Sequence, residues 1–120
     1  MLDGWYGVDQ YDERNVVLQR VLAAIEAKQG RPPSVGSGLA CGYDVGRVLA
    51  LGLSRMRLAT ASALRDALET IRRLPAANGA PGTVISFGPE DHRGYKGPDY
   101  LVIRQAKGGR TELVGTAPVE

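Results

Sequence analysis

Residues 85–105 read ISFGPEDHRGYKGPDYLVIRQ: an apolar run, a polar knot and a second apolar run. The stretch holds the chain's only histidine, His92, and its only phenylalanine, Phe87. Two readings compete for the knot. As a reactive site, His92 would be a general base oriented by the neighbouring Glu90 or Asp91. As a connection, the knot would turn the chain between two strands. The second reading is the stronger. No convincing nucleophile can be assigned to His92, adjacent residues in a turn rarely orient one another, and the Pro, Gly and Asp density suits a tight connection. Strands are therefore expected over Thr83–Phe87 and Tyr100–Lys107.

Downstream, Gly108-Gly109 separates Tyr100–Lys107 from Arg110–Val114, a two-residue hairpin signal. Upstream, three helices are expected. Asn15–Gln29 places Val17, Val21, Ala24 and Ile25 on one face, with Leu18 and Leu22 at its edge. Asp12 and Glu13 sit where the helix dipole favours negative charge, Lys28 where it favours positive, and Gly30, Pro32 and Pro33 form the stop. The segment SVGSGLACG is read as a short buried strand of small residues. A second helix is expected from Tyr43, with Val45, Val48, Leu49, Leu53 and Met56 as its stripe. Gly46 and Gly52 cost it about 1 kcal/mol each against Ala, which predicts close approach to another element. A third helix, capped by Thr60 or Ser62, carries Leu64, Leu68, Ile71 and Leu74 at helical spacing and closes at Pro75. Trp5–Val8 is strand material.

Composition bounds the function. A chain of 120 residues fits one domain. Hydrophobic residues at 43% and charged residues at 23% are globular values. Lys and Arg total 15 against 13 Asp and Glu, and a net charge of +2 is a weak case for nucleic acid. One cysteine, Cys41, allows neither an internal disulfide nor a CxxC metal site; no metal and no cofactor is expected. Cys41 reads as a buried small residue, or as an activated thiol near a helix start. No run reaches the roughly 18 apolar residues of a membrane span, and MLDGWYGVDQYDERN lacks the basic and apolar regions of a signal peptide. A cytosolic protein and a piece of a longer chain both fit.

Binding residues are sought where polar side chains crowd. Asp9–Asp12, DQYD, brings two carboxylates, an amide and a phenol together. It could line a polar cleft and hold an ammonium group; alternatively Asp12 caps the first helix and the rest is linker. Asp44 would serve the second helix's dipole, and Tyr43 could face a cleft or the core. Gly36 and Gly38 resemble a phosphate loop, but no GK[ST] or GxGxxG follows. The element order suggests α/β, yet about four short strands make a small sheet for three amphipathic helices. That mismatch points to partner strands outside this chain.

In order and spacing, GWYGVDQYDERN, KQGRPP, GYDVGRVLALGL, ALRDALE and FGPEDHRG resemble the C-terminal part of ABC transporter substrate-binding proteins of the leucine/isoleucine/valine-binding type. The resemblance covers nearly the whole chain. It implies a C-terminal fragment of the two-lobed type I periplasmic-binding fold. Residues 1–8 would be a strand of the second lobe, 9–14 a crossover, 15–82 helices of the first lobe, and 83–120 a crossover followed by a second-lobe hairpin. It further implies capture of an amino acid or small amide by cleft closure, delivery to an ABC permease, an extracytoplasmic location and no catalysis. The ligand residues it points to are Gln10 and Tyr11 at the crossover, Tyr43 at the cleft rim and Leu39, although SVGSGLACG departs from the family's usual aromatic-bearing segment. Two alternatives come from other classes. One is a stand-alone α/β domain that self-associates through an exposed sheet edge. The other is a small hydrolase using Asp9, Asp12 or His92.

Overall fold

A computed structural model describes residues 3–34, 37–97 and 100–116. In chain order the elements are β1 (Tyr6–Asp9), α1 (Val16–Gln29), α2 (Ser37–Arg55), α3 (Ala61–Leu68), β2 (Leu74–Pro75), β3 (Val84–Ile85), β4 (Tyr95–Lys96), β5 (Val102–Lys107) and β6 (Arg110–Thr116). The strands form two antiparallel sheets, β1-β5-β6 and β2-β3-β4.

The β5–β6 hairpin forms as its glycines demand. Gly108 and Gly109 have φ of 58° and 79°, and the turn type that matches strand twist needs positive φ at both central residues. β1 then pairs with the other edge of β5, Val8 opposite Ile103. The knot PEDHRGYKGPD is a connection only as far as Gly94, closed by paired hydrogen bonds between Gly88 and Asp91. Tyr95 and Lys96, expected within the turn, instead form strand β4 against β3, and residues 98–99 lie outside the described residues.

α1 starts at Asn15, not Asp12. The Asn15 carboxamide oxygen accepts from the N–H groups of Val17 at 2.9 Å and Leu18 at 3.3 Å, which supplies two of the orphan donors of a helix start. Gly30, at φ 70°, ends the helix with its N–H on the Glu26 carbonyl. Leu18 and Val21 are buried, whereas Ala24 is exposed.

Three expectations are corrected. First, the described part of SVGSGLACG is helix from Ser37, not strand. Docking of Leu39 and Ala40 on Leu18 and Val21 overrides the helix cost of Gly38 and Gly42. Cys41 therefore lies within α2, half-buried, and not at its start. Second, α3 ends at Leu68. Its Thr60 cap is present, with Oγ1 accepting from the Ala63 N–H at 3.2 Å. The Thr70 hydroxyl donates to the Ala67 carbonyl at 2.7 Å, and Arg73 turns left-handed at φ 49°. Leu74 and Pro75 then pair with Ile85 and Val84 as strand β2. Third, two-residue strands β2 and β4 raise the strand count above the four expected. Gly52 does meet another element: a Cβ there would lie 2.7 Å from Leu68 Cδ2. Gly46 has nothing within 4 Å.

The core is small. Leu18, Val21, Ala40 and Ala77 form its centre, ringed by Tyr11, Val17, Leu22, Ile25 and Leu39. The α2 stripe is uncovered in part: Val45, Leu49 and Leu53 are 58%, 47% and 51% exposed, while Val48 and Met56 are half-buried. The chain's surface of 7912 Å² exceeds the roughly 6,300 Å² expected of a monomer this heavy.

Candidate functional site

The chain passes between the β1-β5-β6 sheet and the helices through Gln10–Asn15 and around Tyr100. The polar side chains converge at these passages. The first meets the buried loop Ala76–Ala80. There Gln10 offers its carbonyl to the Gly79 N–H at 2.6 Å and its side-chain oxygen to Asn78 Nδ2 at 2.9 Å. Asn15 Nδ2 donates to the carbonyls of Ala76 at 3.0 Å and Gly79 at 2.9 Å. One residue thus caps α1 and fastens the loop.

Asp44 holds the loop from the other side. Its buried carboxylate accepts from the Ala77 N–H at 2.9 Å and the Asn78 N–H at 2.9 Å, and from the Tyr95 hydroxyl at 3.4 Å. Arg47, one helical turn on, lies 3.8 Å away. The dipole role expected of Asp44 is corrected accordingly, since α2 begins seven residues earlier. Asn78 Oδ1 is buried without a hydrogen-bond partner among the described residues.

Tyr95 stacks on Tyr100, ring centroids 4.8 Å apart. Burial, then the Asp44 charge, raises the Tyr95 phenol well above its ordinary value. Tyr100 is pushed up to about 12, chiefly by burial. Both are hydrogen-bond donors at neutral pH.

On the sheet side, Arg104 pins the crossover. Its Nη1 donates to the Tyr11 carbonyl at 3.2 Å and to Glu13 Oε2 at 2.7 Å, and its guanidinium lies 5.7 Å from the Tyr11 ring centroid. Hydrogen bonding from Arg104 holds the Glu13 carboxyl below its usual range. Burial, followed by the Glu13 charge, raises the Tyr11 phenol. Asp12 is fully buried and takes two hydrogen bonds from the Arg14 side chain, at 3.0 and 2.7 Å.

The expected ligand residues are brought together in part. Leu39 and Tyr11 pack on the same core cluster. Leu39 and Tyr43 line one groove of about 460 Å³ between α1 and α2, floored by Val21 and Ile25 with Arg20 and Lys28 at its rim. Tyr43 is exposed, its ring 5.4 Å from the Arg47 guanidinium. Gln10 stands apart, its amide taken up by Asn78. His92 is not oriented by Glu90 or Asp91. Its Nε2 lies 3.0 Å from Glu69 Oε1, while Asp91 is bound by Arg93 and Lys96. Among the described residues no group of three or more His, Cys, Asp or Glu could hold a metal ion, and no helix is long and apolar enough to cross a membrane. Sequence reasoning missed Asn78, Asn15 and Arg104. In the sequence, the Asn78-Gly79 dipeptide carries only a turn signal.

No family model and no curated protein matches the chain. Solved structures do. The leucine-binding protein LivK of Thermotoga maritima superposes at a TM-score of 0.73 with 17% identity, over 98% of this chain and 31% of that one. An ABC transporter substrate-binding protein of Desulfitobacterium hafniense, solved in complex with Leu, gives 0.73 with 25% identity, over 94% and 32%. An extracellular ligand-binding receptor of Rhodopseudomonas palustris gives 0.63 with 20%, over 94% and 34%. The chain spans about a third of the length of these structures. Its three helices and two small sheets match a piece of the type I periplasmic-binding fold.

Proposed function

We propose that the chain is the C-terminal part of the solute-binding component of an ABC importer for amino acids or related small amides. The observation that carries this reading is the match of 94% of the chain, at a TM-score of 0.73, to a substrate-binding protein solved with Leu. β1 supplies a second-lobe strand and residues 10–15 a crossover. α1–α3 with the β2-β3-β4 sheet belong to the first lobe, so the return expected from residue 83 comes only after β4, and β5–β6 is the second-lobe hairpin. Ligand is captured by closure of two lobes about the crossovers, driven by contacts made only in the closed state. Gln10, Tyr11, Tyr43 and Leu39 contribute to that cleft. Function is binding and delivery to a permease outside the cytoplasm, without catalysis.

The anchoring of the crossover supports the hinge. Gln10 is tied to the loop of Asn78 on the helix side, and Tyr11 to Arg104 on the sheet side, so the crossover carries polar ties to both. A hybrid tests the reading: this chain replaces the corresponding third of the Desulfitobacterium protein. Isothermal titration should show saturable binding of a neutral amino acid or amide, weakened by Tyr43→Ala. A folded hybrid that binds neither sinks the assignment.

One observation favours a second reading. The outer edge of β1 has no strand partner among the described residues, and Trp5, Tyr6 and Val8 are exposed along it. Self-association through this edge would produce a stable dimer in sedimentation, abolished by Val8→Pro.

A further inference from the structure

A recess of about 310 Å³ lies between α3 and the connection from β3 to β4, and nothing in the proposed function uses it. It shares no residue with the groove of Leu39 and Tyr43. One wall is Leu64 and Leu68 of α3, the other Phe87, with Arg65, Glu69 and His92 at the rim. Both walls are fixed in advance. Leu64 and Leu68 are set against Gly52, where a Cβ would approach them to 3.1 and 2.7 Å. The Phe87 N–H donates to the Ile71 carbonyl at 3.0 Å, its own carbonyl accepts from Arg72, and its ring lies over Gly94. The His92–Glu69 contact of 3.0 Å joins the walls at the mouth. The volume falls at the lower end of the roughly 300–1,000 Å³ typical of preformed ligand sites.

We propose that this recess binds a small apolar ammonium compound, its tail between Leu68 and Phe87 and its charge on Glu69. The charges at the rim select the sign. Arg65 donates twice to Asp66, through Nε at 2.9 Å and Nη2 at 2.6 Å, and stands 3.8 Å from Glu69. Its charge is engaged by Asp66 and by an ion pair with Glu69 Oε1, and the Arg72 guanidinium is taken up by the carbonyls of Glu69, Ile71 and Phe87. Glu69 is mostly buried and meets His92 through Oε1 alone, while Oε2 accepts no hydrogen bond among the described residues. An ammonium completes that carboxylate. A carboxylate ligand would meet like charge there. The carbon walls reward a tail of several methylenes and offer nothing to a polar one.

The test uses the chain as it stands. His92 and Phe87, each the only residue of its kind, give unambiguous proton resonances on the two sides of the mouth. Hexylamine, hexanol and hexanoate are titrated separately. Hexylamine should shift both resonances saturably, hexanol more weakly, and hexanoate neither. Glu69→Gln should weaken hexylamine about tenfold and leave hexanol unchanged. Shifts by hexanoate as strong as those by hexylamine, hexylamine binding indifferent to Glu69→Gln, or no shift with any probe would each overturn the proposal.

Discussion

The two faces of α2 obey opposite rules. Its inner side presents Ala40 and Asp44, both buried, and the carboxylate meets the N–H groups of Ala77 and Asn78. Its outer side presents Val45, Leu49 and Leu53 to solvent. A helix ordinarily turns aliphatic residues inward and carboxylates outward. The inversion shows that helix propensity and pattern did not set this orientation by themselves. The loop Ala76–Ala80 is buried and short of strand partners, so the N–H groups of Ala77 and Asn78 need an acceptor, and Asp44 is that acceptor. Satisfying polar backbone fixes the inner face, and the apolar stripe is left for a surface other than those described.

The largest expected effect lies on the inner face. Asp44→Ala leaves two buried N–H groups unpaired, each costing about 1–3 kcal/mol. A loss of about 3 kcal/mol in urea denaturation is expected. A loss under about 1 kcal/mol would mean that Asp44 does not anchor the loop.

A pair of glycines sharpens the contrast within the same helix. Gly52→Ala places a methyl 2.7 Å from Leu68 Cδ2. Overpacking of this kind costs about 1–3 kcal/mol, offset by about 1 kcal/mol of gained helix propensity. Gly46→Ala meets nothing within 4 Å and should stabilise by up to about 1 kcal/mol. Thermal denaturation of both variants should give opposite signs. Equal signs would break the distinction between a contact face and an open one.

The third effect is a pH dependence. Tyr95 and Tyr100 have phenols raised above the ordinary 10.0, Tyr100 to about 12. In the unfolded chain they release protons near pH 10, while the folded chain still retains them. Their contribution is complete below pH 10 and is lost as pH rises from 10 through 12 and beyond. Alkaline unfolding should begin in that window, and Tyr100→Phe should shift it upward. Asp44→Asn removes the charge beside Tyr95 and should lower the onset of its tyrosinate absorbance, provided the variant stays folded.

Much of this was legible in the chain itself. Gly108-Gly109 announced the hairpin because its turn tolerates few other residues, and the 3.6-residue period of Val17, Val21 and Ile25 announced α1. Ile71 and Leu74 misled because spacing by three fits a helix as well as a bend followed by strand β2. SVGSGLACG misled because tertiary docking of Leu39 and Ala40 outweighs glycine's local cost. The site was legible only in outline. Gln10 and Tyr11 stand out as polar residues at a crossover, but Asn78 lies 68 positions from Gln10 and Arg104 lies 93 from Tyr11. No local pattern marks such a pairing.

The smallest effect on stability is expected on the outer face, and there smallness is the informative result. Replacing Val45, Leu49 and Leu53 together by Ser removes side chains that are about half exposed. Surface changes of this kind usually stay within about 0.5 kcal/mol each. Urea denaturation should therefore move little compared with Asp44→Ala. Association should move far more, because a contiguous apolar stripe left in water drives contact with whatever surface is offered. Sedimentation of the parent chain should show concentration-dependent self-association that the triple variant lacks. If the variant instead loses stability as Asp44→Ala does, the stripe is covered within a single copy of the chain, and the opposition between the two faces of α2 fails.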